Sequence, residues 1–201
     1  MRTLTFALAL GLTTLSSGAM AATVTTFDNR NDFQSGLTNI VVENFGNGQV
    51  NAPFSVTSTV GEVENGMWSD RLTPGGNTTL WTFDSPTNAF GGFWDLAGPA
   101  GPGTGIALTV TLFQGGSQLL STELSRFLQG DFFGVILDES FTSMLLTAGT
   151  QPGRAETYKL DNLTIGTLAP VPLPASVFLL GGGIGGLMLV GWRRRRAQAA
   201  A

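Results

Sequence analysis

The sequence of 201 residues contains no cysteine and no histidine. Without cysteine there is no disulfide framework, so the stability of the folded chain must come from burial, hydrogen bonding or a bound ion. Without imidazole and thiol groups, the Ser-His-Asp and Cys-His nucleophilic mechanisms and the usual zinc sites are excluded. The chemistry left to the chain is that of carboxylates, hydroxyls, amides and aromatic rings.

Positive charge is scarce and concentrated at the ends of the chain. Half of the ten basic residues are Arg2 and the cluster Arg193–Arg196, whereas all fourteen acidic residues lie between Asp28 and Asp161. The part between the ends therefore holds five basic and fourteen acidic residues, a net charge of −9. Nucleic acids and anionic membrane surfaces are bound through clustered Lys and Arg, so we expect no nucleic-acid partner for this part. Divalent cations or neutral polar ligands suit it better.

The first 21 residues have the three parts of a secretory signal peptide. Arg2 gives a positive start, the stretch from Leu4 to Leu15 is apolar, and Ala19-Met20-Ala21 matches the small-x-small pattern before a cleavage site. The alternative, an uncleaved membrane anchor, needs roughly 20 apolar residues. We therefore predict that residues 1–21 are removed on export.

The C-terminal part of the chain combines a short motif, an apolar run and a basic cluster. The motif is Val171, Pro172, Leu173, Pro174 and Ala175, and the cluster is Arg193, Arg194, Arg195 and Arg196. Between them, residues 176–192 are at the lower length limit for a transmembrane helix. By the positive-inside rule the arginines place the tail of residues 193–201 in the cytoplasm, so we expect the domain before the linker of residues 168–175 to lie outside.

This order of motif, apolar run, arginine cluster and chain end resembles the VPLPA-CTERM variant of the PEP-CTERM sorting signal of Gram-negative bacteria. Residues 171–175 reproduce its five-residue signature. In that family an integral-membrane exosortase recognises the tail and cuts near the motif. The resemblance implies an exosortase partner and an exported protein that passes from an inner-membrane intermediate to the cell surface or extracellular matrix. A simple single-pass anchor is the alternative and predicts the same topology without cleavage.

Between these ends, residues 22–167 consist of short alternating segments separated by Gly, Pro, Asn and Asp, which predicts an antiparallel β domain. The clearest segment is 106–113, where Leu108 and Val110 point one way while Thr109 and Thr111 point the other. Further strands are expected at 24–27, 39–45, 54–60, 78–83, 89–96, 118–123, 131–137, 141–147 and 157–165. One helix is expected at 29–37, with Asn29 as its N-cap. Many short strands and almost no helix predict a single jelly-roll-like β-sandwich.

Asp161 is the most informative polar residue of the core. Alternation along 157–165 places its carboxylate on the same side as Leu163, where a charge needs a cationic partner. The run 160–163 is similar to the closing strand of carbohydrate-binding sandwich modules, in which an aspartate often holds a structural calcium with an acidic residue of the first strands. This resemblance implies Glu43 as the second calcium ligand. A salt bridge or a solvent-facing turn is the alternative.

The aromatic and paired acidic residues suggest two kinds of glycan chemistry. Trp68, in a Gly- and Asp-containing stretch, is the candidate for an exposed ring that stacks on sugars, whereas Trp81 is predicted to pack in the core. Asp138 and Glu139 are adjacent, but neighbours on a strand point to opposite faces, so this pair predicts a polar turn rather than a glycosidase pair.

Together these features predict an exported surface or matrix protein whose core is a non-catalytic structural or exopolysaccharide-binding module. Calcium is the only ion that the sequence suggests. The alternative is a glycan-active enzyme that uses two carboxylates brought together by the fold. A binding module leaves a polysaccharide intact, whereas such an enzyme releases reducing ends.

Overall fold

The computed structural model of the protein describes residues 23–96, 101–112 and 117–170. The predicted signal peptide, the VPLPA motif, the apolar run 176–192 and the arginine cluster lie outside these residues. Among the residues that are described, no helix is long and apolar enough to cross a membrane.

The described chain is built almost entirely of antiparallel β-strands, which confirms the all-β prediction. The elements are β1 (Val24–Phe27), α1 (Arg30–Ser35), β2 (Leu37–Glu43), β3 (Phe54–Thr57), β4 (Glu62–Glu64), β5 (Met67–Leu72), β6 (Thr79–Asp95), β7 (Ile106–Leu112), β8 (Ser117–Leu124), β9 (Gln129–Ala148) and β10 (Glu156–Leu168). The sequence pattern did not predict β4 and β5. It predicted two strands in the place of β6 and two in the place of β9.

All ten strands in the described part of the chain belong to one hydrogen-bonded sheet, whose main path has the order β4-β5-β10-β6-β9-β7-β8. The remaining three strands pair at its sides, β1 with β9, β2 with β10 and β3 with β6. The sheet is continuous because β6 and β9, of 17 and 20 residues, pair with each other in two stretches. Their pairing is interrupted between Thr82 and Thr87 of β6 and between Ile136 and Phe141 of β9.

At this interruption the sheet folds over on itself, and we call the place the corner. Phe83 and Phe90 are seven residues apart on β6, which corresponds to about 23 Å in a straight strand. Their ring centroids are only 6.1 Å apart. Phe141 of β9 packs edge-on against Phe83 at 6.0 Å. The sequence pattern predicted separate strands on either side of this place, whereas the structure has one long strand in each case, which changes layer there.

The two layers enclose one large core. Trp81, Trp94 and Tyr158 are fully buried in it, together with apolar residues from both layers. Trp68 of β5 crosses the gap to meet Trp81 of β6 in an edge-on contact at 5.4 Å. The prediction that Trp81 packs in the core is confirmed.

The turn predicted at Asp138 and Glu139 is wrong, because both residues lie within β9 at the corner. Asp138 exchanges hydrogen bonds with the start of β1. Its carboxylate accepts from the backbone N–H of Thr23 at 2.7 Å, and its own N–H donates to the Thr23 carbonyl. This exchange fixes the beginning of β1 beside the corner.

Helix α1 forms where it was predicted but ends earlier. The side chain of Asn29 accepts from the backbone N–H groups of Asn31 and Asp32, as an N-cap does. Leu37, expected in the helix, begins β2. The helix buries Phe33 against the outer face of the β2–β10–β6–β9–β1 layer, where it forms a second, smaller apolar cluster with Phe132 and other residues.

Phe33 fits there because glycines leave the sheet bare beneath it. A Cβ on Gly134 would lie 2.8 Å from two carbons of the Phe33 ring. A Cβ on Gly91 would lie 3.1 Å from the same ring and 2.9 Å from the Gly134 Cα. Any side chain at Gly134 would therefore push the helix off the sheet.

We expect Gly134→Ala to lower the free energy of unfolding by about 1–3 kcal/mol, because the added methyl group overpacks the contact with Phe33. Gly36→Ala is the matched control, since a Cβ added at Gly36 would meet nothing within 4 Å and the φ of −92° is accessible to alanine. The control should change stability by no more than about 0.5 kcal/mol. Urea unfolding measures both, and equal midpoints for the two variants would contradict this packing.

Candidate functional site

A shallow depression of about 420 Å³ lies on the outer face of the sheet, where β1 leads into α1 and β9 begins. Its lining combines one half-buried aromatic ring with charged and amide side chains. The lining residues are Asp28, Asn29, Arg30, Asn31, Phe93, Gly130, Asp131 and Phe132.

Phe93 is held in the depression by a row of aromatic rings. Phe27 packs edge-on against Phe33 at 5.8 Å, Phe33 lies 5.2 Å from Phe132, and Phe132 meets Phe93 edge-on at 5.5 Å. Phe33 and Phe132 are buried, whereas Phe93 is half-buried. The exposed end of the row is therefore a ring whose orientation is set by buried neighbours.

Polar groups of three kinds surround this ring. The guanidinium carbon of Arg30 lies 5.9 Å from the Phe93 ring centroid, within range of a cation–π contact. Asp28, Asn31 and Asp131 are exposed. Asp131 also accepts from the backbone N–H of Gln129 at 3.2 Å, which restrains its carboxylate.

Such a set of groups matches the surface of a sugar. Carboxylates accept hydrogen bonds from hydroxyl groups, amide and guanidinium groups donate to them, and an aromatic ring packs on the apolar C–H face. Phe93 and its partners were not among the site residues predicted from the sequence. The sequence feature that could have identified Phe93 is its place next to Trp94 on a strand. Neighbours on a strand point to opposite faces, so Phe93 points outward while Trp94 is fully buried in the core.

Asp161 lies on this outer face and not towards the core, so the alternation argument for its burial is wrong. Asn162 has a φ of 49°, and the pairing of β10 with β6 shifts register between Asp161 and Thr164. This bulge reverses which residues face inward, from Leu160 before it to Leu163 after it. Asp161 is half-buried, and Phe93 is its directly opposite partner on β6.

Glu43 is buried, but its surroundings are those of a loop anchor. One carboxylate oxygen accepts from the backbone N–H of Phe45 at 2.8 Å. The other accepts from the backbone N–H of Asn51 at 2.7 Å and from its side-chain amide at 3.0 Å. Both carboxylate oxygens of Glu43 thus have hydrogen-bond partners within the protein. In the described ranges, no group of three or more acidic side chains is placed to hold a metal ion. Calcium binding at Glu43 and Asp161 stays a prediction.

Trp68 is not an exposed platform, because it is 4% exposed and lies in the core. Its indole N–H donates to the Tyr158 hydroxyl at 3.1 Å, and that hydroxyl lies 2.8 Å from the hydroxyl of Thr79. Thr79 in turn donates to the buried carboxylate of Asp70. Burial raises the pKa of Tyr158 well above its usual range. The predicted ligand-binding tryptophan thus belongs to a structural network that joins β5, β6 and β10.

A second cleft, of about 330 Å³, lies near the corner. Its lining residues are Asn39, Val41, Pro53, Ser85, Pro86, Thr87, Ile165, Gly166 and Thr167. This lining contains neither a charged side chain nor an aromatic ring. The depression around Phe93 therefore offers the richer set of contacts for a polar ligand.

Glu156, at the start of β10, is a fully buried carboxylate. One oxygen accepts from the backbone N–H of Gly105 at 2.6 Å, and the other has no hydrogen-bond partner among the described residues. Burial raises the pKa of Glu156 above its ordinary value, and the opposing effects of the Gly105 and Gly103 N–H groups and of the Arg126 charge are smaller. The residue ties the loop at Gly105 to β10.

We expect Glu156→Gln to be more stable relative to the wild type at about pH 7 than at about pH 3.5. The folded state holds the Glu156 proton more tightly than the unfolded chain, so the wild type loses stability as the pH rises above the ordinary glutamate pKa of about 4.3. The neutral amide does not titrate, and its oxygen still accepts from Gly105. Urea unfolding across this range measures the difference, and a difference that does not change with pH would contradict the assignment.

No protein-family model matches this chain, and no curated protein matches it. Among solved structures it is similar to a family 29 carbohydrate-binding module, with 9% identity, coverage of 67% of this chain and 100% of that chain, and a TM-score of 0.48. It is also similar to the family 32 carbohydrate-binding module of C. perfringens NanJ in complex with galactose, with 12% identity, coverage of 63% and 98%, and a TM-score of 0.41. At these identities and TM-scores, neither likeness establishes the fold or the function of this chain.

Proposed function

We propose that this protein is an exported cell-surface or matrix protein whose jelly-roll-like core binds polysaccharide without cleaving it. The depression around Phe93 is the observation that carries the proposal. It presents a fixed, half-exposed aromatic ring beside exposed carboxylate and amide groups and a guanidinium group. Sugar-binding surfaces need a stacking face with hydrogen-bonding groups around its edge.

The core is proposed to be non-catalytic because the chain lacks the usual nucleophilic machinery, having neither histidine nor cysteine. A hydrolase of the two-carboxylate type remains the competing function. Asp28 and Asp131 line the same depression and are the carboxylates that such an enzyme would use. Release of reducing ends from a bound polysaccharide would identify it.

The depression lies apart from the point where the described chain ends. Phe93 of β6 is opposite Asp161 of β10, and Ala89 is opposite Gly166, so β10 runs towards the Ala89 end. Four residues of strand, about 13 Å, separate Phe93 from Ala89. The proposed binding site and the residues that lead to the predicted sorting signal are therefore in different places on the domain.

We expect Phe93→Ala to weaken polysaccharide binding by at least about tenfold, because it removes the stacking face. Phe127→Ala is the matched control. Phe127 is 62% exposed and carries the Arg126 guanidinium 4.9 Å from its ring, but it does not line the depression. Affinity electrophoresis of the exported protein in polysaccharide gels measures binding, and thermal unfolding checks that both variants fold. If only the Phe127 variant loses binding, the polysaccharide does not bind in the depression around Phe93.

We expect the exported protein to have the mass of a chain that begins at Ala22 and ends near Ala175. In a host without its exosortase, the chain should keep Arg193–Arg196 and stay in the inner membrane. Intact-mass spectrometry of the two preparations measures this. A chain that keeps the arginines in the normal host would favour the simple anchor over the sorting signal.

A further inference from the structure

We propose that the depression around Phe93 selects neutral glycans and rejects anionic ones such as polyuronates. This inference rests on the proposed polysaccharide-binding function and names the ligand class of the same site. It is carried by the charges that the fold brings together around the ring, since residues far apart in the sequence meet there.

Two carboxylates and one cation line the depression. Asp28, which follows β1, and Asp131, near the start of β9, both belong to the lining, and the Arg30 guanidinium carbon lies 5.9 Å from the Phe93 ring centroid. In a shallow and solvated site, Arg30 offsets one of the two negative charges. The lining therefore keeps an excess of negative charge.

The residues of the sheet beside the Phe93 ring add further negative charge. Asp161 is the cross-strand partner of Phe93, so it lies on the same face of the sheet. Two residues further along β6, Asp95 is opposite Lys159 of β10, an acid and a base that offset each other. Counting lining and neighbours together, four carboxylates face two cations.

The domain as a whole has the same sign, with a net charge of −9 between the ends of the chain, the residues around the depression included. A glycan with a carboxylate on every residue would meet repulsion both on approach and in the site. A neutral glycan meets no such repulsion. Its hydroxyl groups donate to Asp28 and Asp131, and the apolar face of a sugar ring packs on Phe93. The same carboxylates thus bind neutral glycans and repel anionic ones.

The test compares a panel of soluble neutral glycans (dextran, galactan and mannan) with alginate and polygalacturonate. We expect the exported protein to bind at least one neutral glycan and to bind both anionic glycans at least about tenfold more weakly. The double variant Asp28→Asn, Asp131→Asn should reduce the ratio of anionic to neutral Kd by about tenfold, because it removes both lining charges and keeps their shape.

The matched control is the double variant Glu62→Gln, Glu64→Gln. It removes the same amount of negative charge at two exposed positions of β4, the strand that ends the sheet order. The control should leave the ratio within about twofold of the wild type. Three strand spacings, about 14 Å, separate β4 from β6, and charges farther apart than the Debye length of about 8 Å at physiological salt are largely screened.

Each outcome addresses one level of the proposal. If the wild type binds no glycan, the proposed function itself fails. If it binds alginate as tightly as the neutral glycans, the polysaccharide-binding function stands and the inferred selectivity is wrong. If both double variants change the ratio equally, selectivity comes from the charge of the whole domain and not from the depression.

Discussion

The fold depends on the corner at which β6 and β9 change layer. There the rings of Phe83, Phe90 and Phe141 pack together, so one continuous sheet closes over a single core without a disulfide. A chain without cysteine must stabilise itself by burial, and folding the sheet over hides apolar residues of both layers from water at once. The two fully buried tryptophans, Trp81 and Trp94, lie on the two arms of β6 on either side of this corner.

The same corner creates the outer face on which the candidate site lies. Once one face of the β2–β10–β6–β9–β1 layer is turned towards the core, the other face needs its own cover, which α1 and Phe33 provide over Gly91 and Gly134. The cover is short, because the helix has six residues. It therefore leaves the last ring of the aromatic row, Phe93, half-exposed beside the residues at the start of the helix. The depression is thus the uncovered margin of a structural cluster, and its ring packs against the buried Phe132 of that cluster.

The sequence patterns predicted the strands well but predicted poorly which way individual side chains point. Val24–Phe27 and the N-cap at Asn29 were predicted as they occur, because they depend on local side-chain chemistry. The direction of Asp161 was predicted wrongly, because a bulge at Asn162 changes the alternation and no local residue pattern announced it. Trp68 was predicted to be exposed because it lies in a Gly- and Asp-containing stretch in which the pattern predicted no strand. Its burial arises from contacts with Trp81 of β6 and Tyr158 of β10, which lie far away in the chain.

The sequence by itself determined the all-β class, the acidic charge of the core and the exclusion of thiol and imidazole chemistry, since these follow from composition and from period-two alternation. The export and sorting signals are predictions from linear motifs, and they rest on the sequence alone. Only the tertiary structure decided which polar residues share a surface. Asp28, Phe93 and Asp131 come from three separate parts of the chain, and Asp161 is the cross-strand partner of Phe93. Long-range register brings these side chains together, and register is set by the packing of the whole sheet and not by the residues that it places side by side.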